Sequence, residues 1–283
     1  MLNFFNRQKK TVAVLISGRI ARYESCLLPL IKTSTNYNIH LHLSINDNLS
    51  SYYEIMKNNL NQYLKSFYIK KFVIPKDFIN NNILTLNQTV NGIKGPHNQL
   101  SMFYNDKIAF ENAKKYADEN NFEYDAYLKF RPDIISKKFP KIKNIKINEI
   151  KIFSAIPYNQ NFCPIVDIEN KKLDETVKIP WVCDAIAYGN RISMQKYCNT
   201  YQFVLDTNKL FNYPINFEPS LTQSIAYQGV DVEFFKYKYL LDKNRRIFDK
   251  HILDDRAPIK GSIDKIDINQ YDVFFNAPAD PSD

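Results

Sequence analysis

Residues 11–17, TVAVLIS, form an unbroken β-branched and aliphatic run that ends on Gly18. A run with no polar break has no wet face. It predicts a strand buried on both sides, as in a parallel sheet covered by helices. Any fold for this chain must place that strand near the middle of a sheet.

The segments around it alternate in type. Residues 22–33 predict a short helix interrupted by Pro29, and residues 38–45 (NIHLHLSI) alternate strictly as a second strand. Residues 52–65 predict a helix, and residues 66–73 a third strand stopped by Pro75. Residues 80–96 are polar and irregular, a loop over the site. Residues 99–120 carry Met102, Phe103, Ile108, Ala109, Ala113, Tyr116 and Ala117 at helical spacing. Residues 124–130 predict a strand closed by Pro132, residues 150–155 another, and residues 181–188 contain a short one. Helices follow over 191–201 and 217–227, then a strand over 230–237. Strands that alternate with helices imply an α/β fold, a Rossmann-type open sheet, mostly parallel, with helices on both faces. No repeat or linker is visible, so residues 1–283 are expected to form a single domain, with a leader over 1–10 and a Pro- and Asp-rich surface tail over about 256–283. Ligands of such sheets bind at the carboxyl ends of the strands. The residues to inspect are therefore 17–19, 44–47 and 131–133.

Composition narrows the chemistry. With 6 Gly in 283 residues, neither G-x-x-x-x-G-K nor G-x-G-x-x-G occurs, which argues against kinase, ATPase and dehydrogenase readings. The net charge of +8 is spread along the chain, densest at Lys137, Lys138, Lys141, Lys143 and Lys146. Without a recognition motif, that spread does not predict a nucleic-acid partner. It suits a diphosphate cleft or attraction to a membrane surface. Cys26, Cys163, Cys183 and Cys198 form no CxxC pair and are expected to be buried thiols in a reducing compartment. VAVLI is too short for a span or a signal core. The expectation is a cytoplasmic protein able to associate peripherally with membranes. His40 and His42 share one strand face without a third metal ligand in view and are expected to be structural. Asp254-Asp255-Arg256 is expected to be a solvated turn.

Four constellations could carry chemistry. In ISGRIAR, Ser17 and Gly18 end the first strand, and Arg19 and Arg22 follow three residues apart on one face. Gly18 permits close approach of a ligand, and the guanidinium groups suit phosphates. In YDAYLKFRPD, Pro132 sets the loop so that Asp133 reaches the carboxyl edge. A carboxylate there can share a divalent cation with substrate phosphates, and Arg131 can neutralise phosphate charge. In WVCDAIAYG, Asp184 opens a short apolar strand and could bond sugar hydroxyls. In NFEPSLT, Glu218 stands at a helix start, where it could cap the helix or take a proton.

The order strand–SG–R, a helix of the type QLSMFYNDKIAFENAKKYA, YDAYLKFRPDI, then D…YG and a late E resembles a group of bacterial and large-virus glycosyltransferases of the GT-A fold. The likeness runs over about residues 11–237. In that group an Arg-x-Asp element stands where most GT-A enzymes carry Asp-x-Asp. The resemblance implies a nucleotide-sugar donor and a glycan or glycolipid acceptor. It places Ser17, Gly18, Arg19, Arg22, Arg131 and Asp133 at the donor, with Asp133 as ligand of Mn²⁺ or Mg²⁺. It makes Asp184 and Glu218 the candidate catalytic carboxylates. Arg131 in the first position of the element could take over part of a metal's role. The rival reading is a non-catalytic carbohydrate- or nucleotide-binding protein, a degenerate transferase.

Overall fold

A computed structural model describes residues 9–18, 26–45, 50–78, 96–132, 134–136, 138–153, 162–167, 169–180, 182–211, 217–235, 239–241 and 272–274. Strand β1, Lys10–Ser17, lies inside a seven-stranded sheet. β2 (Tyr37–Ile45) and β3 (Leu64–Ile69) follow it in parallel on one side, and β4 (Ala126–Phe130) pairs with it in parallel on the other. Next comes β9 (Ile186–Gly189), antiparallel to both β4 and β6 (Glu149–Phe153). β10 (Asp231–Phe235) closes the edge in parallel with β6. The order is β10-β6-β9-β4-β1-β2-β3. This is the open, mostly parallel, Rossmann-type sheet that the alternation of segments predicts.

The period-two rule assigns each face. Val12, Val14 and Ile16 join Ala126, Leu128 and Phe130 against α1 (Leu27–Lys32) and α2 (Ser50–Leu60). Ala13 and Leu15 join Tyr127 and Ala187 on the other face. That face is covered by α3 (Pro96–Glu119), α4 (Arg191–Cys198), α5 (Thr200–Phe211) and α6 (Phe217–Tyr227). Both faces of β1 are buried, as its uninterrupted apolar run requires.

Several boundaries differ from the sequence expectation. The helix expected over 52–65 stops at Leu60, and β3 starts at Leu64, because residues 61–63 turn the chain into the sheet. The helix expected over 191–201 is two helices divided at Asn199, whose backbone N–H closes α4 on Gln195 and Lys196 carbonyls. A hairpin of β7 (Phe162–Asp167) and β8 (Lys172–Pro180) packs on α6, and α6 has the expected bounds. β5 (Ile134–Ile135), β11 (Tyr239–Leu241) and β12 (Asp272–Phe274) form a second small sheet, so the expected surface tail contributes a strand.

His40 and His42 are structural, as expected. His42 shares hydrogen bonds with the Ser66 hydroxyl at 2.8 Å and the Tyr124 hydroxyl at 2.9 Å, and His40 meets the same Tyr124 hydroxyl at 3.0 Å. All four cysteines are buried. Among the described residues, no helix is long and apolar enough to cross a membrane.

Candidate active site

The antiparallel sense of β9 builds the site. β9 begins at the sheet edge where β1, β2 and β4 end, so Asp184, just before β9, meets Arg131 at the edge that Ser17 also reaches. The Arg131 amide donates to the Ala185 carbonyl at 3.0 Å, which continues the β4–β9 ladder one step past Phe130 and Ile186. Arg131 then turns its guanidinium to the Asp184 carboxylate, Nη1 to Oδ1 at 3.3 Å. Asp184 is 4% exposed. Only a counter-charge makes a carboxylate tolerable at that depth.

α3 supplies the next charge. It runs antiparallel to β1, so its first turns rise past the carboxyl edge. Asp106, 3% exposed, accepts a hydrogen bond from the Ser17 hydroxyl. Its neighbour Asn105 accepts one from the Ser44 hydroxyl at 2.7 Å. Lys129 of β4 points to the same side, is 1% exposed, and donates its ammonium to the Asp184 carbonyl. Gly18 adopts φ +92°, a left-handed turn that favours glycine, and its amide donates to the Ser44 carbonyl at 3.0 Å.

Glu218 approaches from the first turn of α6. The Thr222 hydroxyl donates to the Glu218 carbonyl at 2.6 Å and accepts the Val182 amide at 2.9 Å. This bracket ties the start of α6 to the segment that carries Asp184. Burial raises the Glu218 carboxyl above its ordinary range, and the Asp184 charge adds to the rise; Arg131 and Lys129 pull the other way. Burial likewise raises Asp106, against the Lys129 charge and the Ser17 hydrogen bond. Among the described residues, Asp106, Asp184 and Glu218 share this edge with Arg131 and Lys129.

Of the residues singled out in the sequence, Ser17, Gly18, Arg131, Asp184 and Glu218 gather at this edge. Arg19, Arg22 and Asp133 lie outside the described residues, as do the loop over 80–95, Asp254-Asp255-Arg256 and Lys137. Asp106 and Lys129 are additions. Asp106 falls on the buried stripe Phe103, Phe110, Ala113 and Ala117 at spacings of three and four. Lys129 sits at an inward position of a strand buried on both faces. A charge on an apolar periodicity was the available signal in both cases.

Gln99 lies on the same side of α3 as Asp106, about 10 Å nearer the helix start at about 1.5 Å per residue. It is 2% exposed, and among the described residues its Oε1 has no partner. Among the described residues, no three His, Cys, Asp or Glu side chains converge as metal ligands, and the Asp184 carboxylate is engaged by Arg131. A surface groove of about 410 Å³ between α5 and α6, floored by Phe203, contains none of the residues of this edge.

No family model matches the sequence, and no curated protein resembles it in sequence. Solved structures do match in overall chain path. One is a nucleoside-diphosphate-sugar pyrophosphorylase from Vibrio cholerae RC9, at 10% identity and a TM-score of 0.40, over 79% of this chain and 90% of that one. Another is the galactosyltransferase LgtC in complex with donor and acceptor sugar analogs, at 9% identity and a TM-score of 0.47, over 78% of this chain and 72% of that one. Likeness at this level does not transfer an activity. Function has to be argued from the residues at the sheet edge.

Proposed function

We propose that this chain is a glycosyltransferase that moves a sugar from a nucleoside-diphosphate sugar to a hydroxyl of a glycan or glycolipid acceptor. The observation that carries the reading is the meeting of Ser17, Arg131, Asp184 and Glu218 at the carboxyl edge of one open sheet. A transferase of this kind needs cationic groups for the departing diphosphate and a carboxylate for the acceptor proton.

In an inverting transfer the acceptor oxygen bonds to the anomeric carbon. The bond from that carbon to the diphosphate oxygen breaks, and its electron pair leaves with the diphosphate. The acceptor proton passes to Glu218. Glu218 suits this role better than Asp184, because its raised proton affinity brings it closer to working pH, whereas Asp184 is held by Arg131. Asp184 orients Arg131 and can bond sugar hydroxyls. Ser17, Gly18, Arg19 and Arg22 border the nucleotide. Asp133 is the proposed ligand of Mn²⁺ or Mg²⁺, which when bound adds positive charge at the diphosphate. The exposed Lys138, Lys141, Lys143 and Lys146 suit an anionic membrane surface carrying a lipid-linked acceptor, and the place of action is the cytoplasm.

The test is a thermal-shift screen with UDP, GDP, CMP, dTDP and their sugars, with and without Mn²⁺, followed by donor turnover in wild type and Glu218→Gln. A shift with one nucleotide and turnover lost in the variant support the reading. Binding without any turnover in wild type marks a degenerate transferase. No shift with any nucleotide overturns the reading.

A further inference from the structure

The proposed chemistry leaves two buried charges without a task. Lys129 lies inside β4, between Leu15 of β1 and Ala187 of β9. A leucine or methionine would fill the same space without the desolvation cost of an ammonium ion. Lys129 instead donates to the carbonyl of Asp184, and its charge acts on Asp106 behind it. Asp106 is fixed in turn by the Ser17 hydroxyl.

Besides the Arg131–Asp184 ion pair, the backbone of residues 182–185 is held by bonds to three other parts of the described structure. The Val182 amide bonds to Thr222 at 2.9 Å, and the Ala185 carbonyl accepts the Arg131 amide at 3.0 Å. These two are ordinary neutral bonds. The third, at the Asp184 carbonyl, is made by a buried charge from beneath. It acts on the peptide unit of the residue whose side chain meets Arg131.

We propose that Lys129, with Asp106 as the counter-charge nearby, is a positioning residue that pins the 182–185 segment from below through the Asp184 carbonyl and thereby sets where the Asp184 carboxylate stands relative to Arg131 and Glu218. The pinning is a property of the fold; its catalytic consequence rests on the transferase reading. Neither residue is asked to touch substrate.

The experiment compares wild type with Lys129→Met, Asp106→Asn, the double variant Asp106→Asn/Lys129→Met, and Lys129→Arg. Each neutralising single variant leaves a buried charge without its opposite and lowers the melting temperature. The double variant removes both charges and recovers most of the loss. In that stable double variant, hydrogen exchange at the Arg131 and Val182 amides rises at least tenfold, while exchange in β1 and β2 stays at the wild-type rate. Lys129→Arg retains a charged donor and keeps both amides protected. Wild-type protection of the two amides in the double variant overturns the pinning. On a donor sugar that wild type turns over, the double variant loses at least tenfold in kcat with donor KM changed less than threefold; an unchanged kcat overturns the catalytic consequence. If wild type turns over no donor, the transferase reading fails, and hydrogen exchange alone decides the pinning.

Discussion

Arg131 Nη1 stands 3.3 Å from Asp184 Oδ1, across the join between the last residue pair of β4 and the first of β9. Fifty-three positions separate the two in sequence, and the antiparallel sense of β9 removes that distance. Asp184 is the more buried partner, with its side chain 6% exposed against 24% for Arg131. Arg131→Met therefore leaves a buried carboxylate without this counter-charge and is expected to cost about 2 kcal/mol, below the roughly 3–5 kcal/mol of a fully buried broken pair because Arg131 is partly solvated. Urea unfolding measures it. A loss below a few tenths of a kcal/mol would show that Asp184 has other support.

Glu218 gives the folded chain a stability that falls as pH rises. Its carboxyl ordinarily titrates at 4.5, and burial, with Asp184, lifts it in the folded chain. A raised folded value means the folded protein holds this proton more tightly than the unfolded chain. The resulting stability is complete below 4.5 and is lost as pH rises through the raised value. Glu218→Gln is therefore expected to match wild type near pH 4 and to be more stable near pH 8, while losing about 10²-fold or more in turnover. Denaturation at the two pH values checks the sign. A variant less stable than wild type at pH 8 contradicts the raised titration.

Much of this arrangement was visible in the sequence, and the misses share a cause. The run TVAVLIS and the Pro132 stop after YDAYLKF fixed β1 and β4, because a strand buried on both faces leaves an unbroken apolar signature. The polar residues at the ends of those strands therefore fell at one edge. β9 is only 4 residues long, and its antiparallel sense is set by pairing on both sides. Local sequence does not record such pairing. The hairpin of β7 and β8 leaves no clear local signature for a related reason: it is stabilised by contact with α6, including the Gln223 side-chain N–H on the Pro164 carbonyl at 3.2 Å. Asp106 and Lys129 were legible as charges on buried stripes but could be taken for solvated residues until α3 was laid on β1.

His42 gives the opposite pH dependence to Glu218. Burial lowers its titration to about 3, helped by the charges of His40 and Lys65. A lowered folded value means the unfolded chain takes the proton first. The contribution is full above 6.5 and drains away as pH falls toward about 3. While only the unfolded state is protonated, the slope is about 1.4 kcal/mol per pH unit. His42→Gln keeps polar atoms near Ser66 and Tyr124 and removes the titration. The difference in unfolding free energy between wild type and variant is expected to shrink steadily from pH 6.5 to pH 4.5. A difference constant with pH would mean that His42 takes up its proton as readily in the fold as in the unfolded chain.

Lys151 tests whether buried charge in this sheet serves stability apart from the site. It pairs in register with Tyr188, on the sheet face opposite Lys129, between Glu149 at 2.7 Å and Glu233. Burial works against its charge, but the two carboxylates more than offset that and hold the ammonium above its ordinary range. Lys151→Met strands Glu149, whose side chain is 7% exposed, and is expected to cost about 3 kcal/mol. Adding Glu149→Gln is expected to recover most of the loss, since the remaining partner Glu233 is 44% exposed and can turn to solvent. Urea midpoints at constant m-value measure both steps. Nucleotide binding is expected to stay at the wild-type level in both variants, because the opposite sheet face carries the Asp184 edge. If the double variant stays as unstable as the single, Lys151 acts through packing of its alkyl chain rather than through its charge.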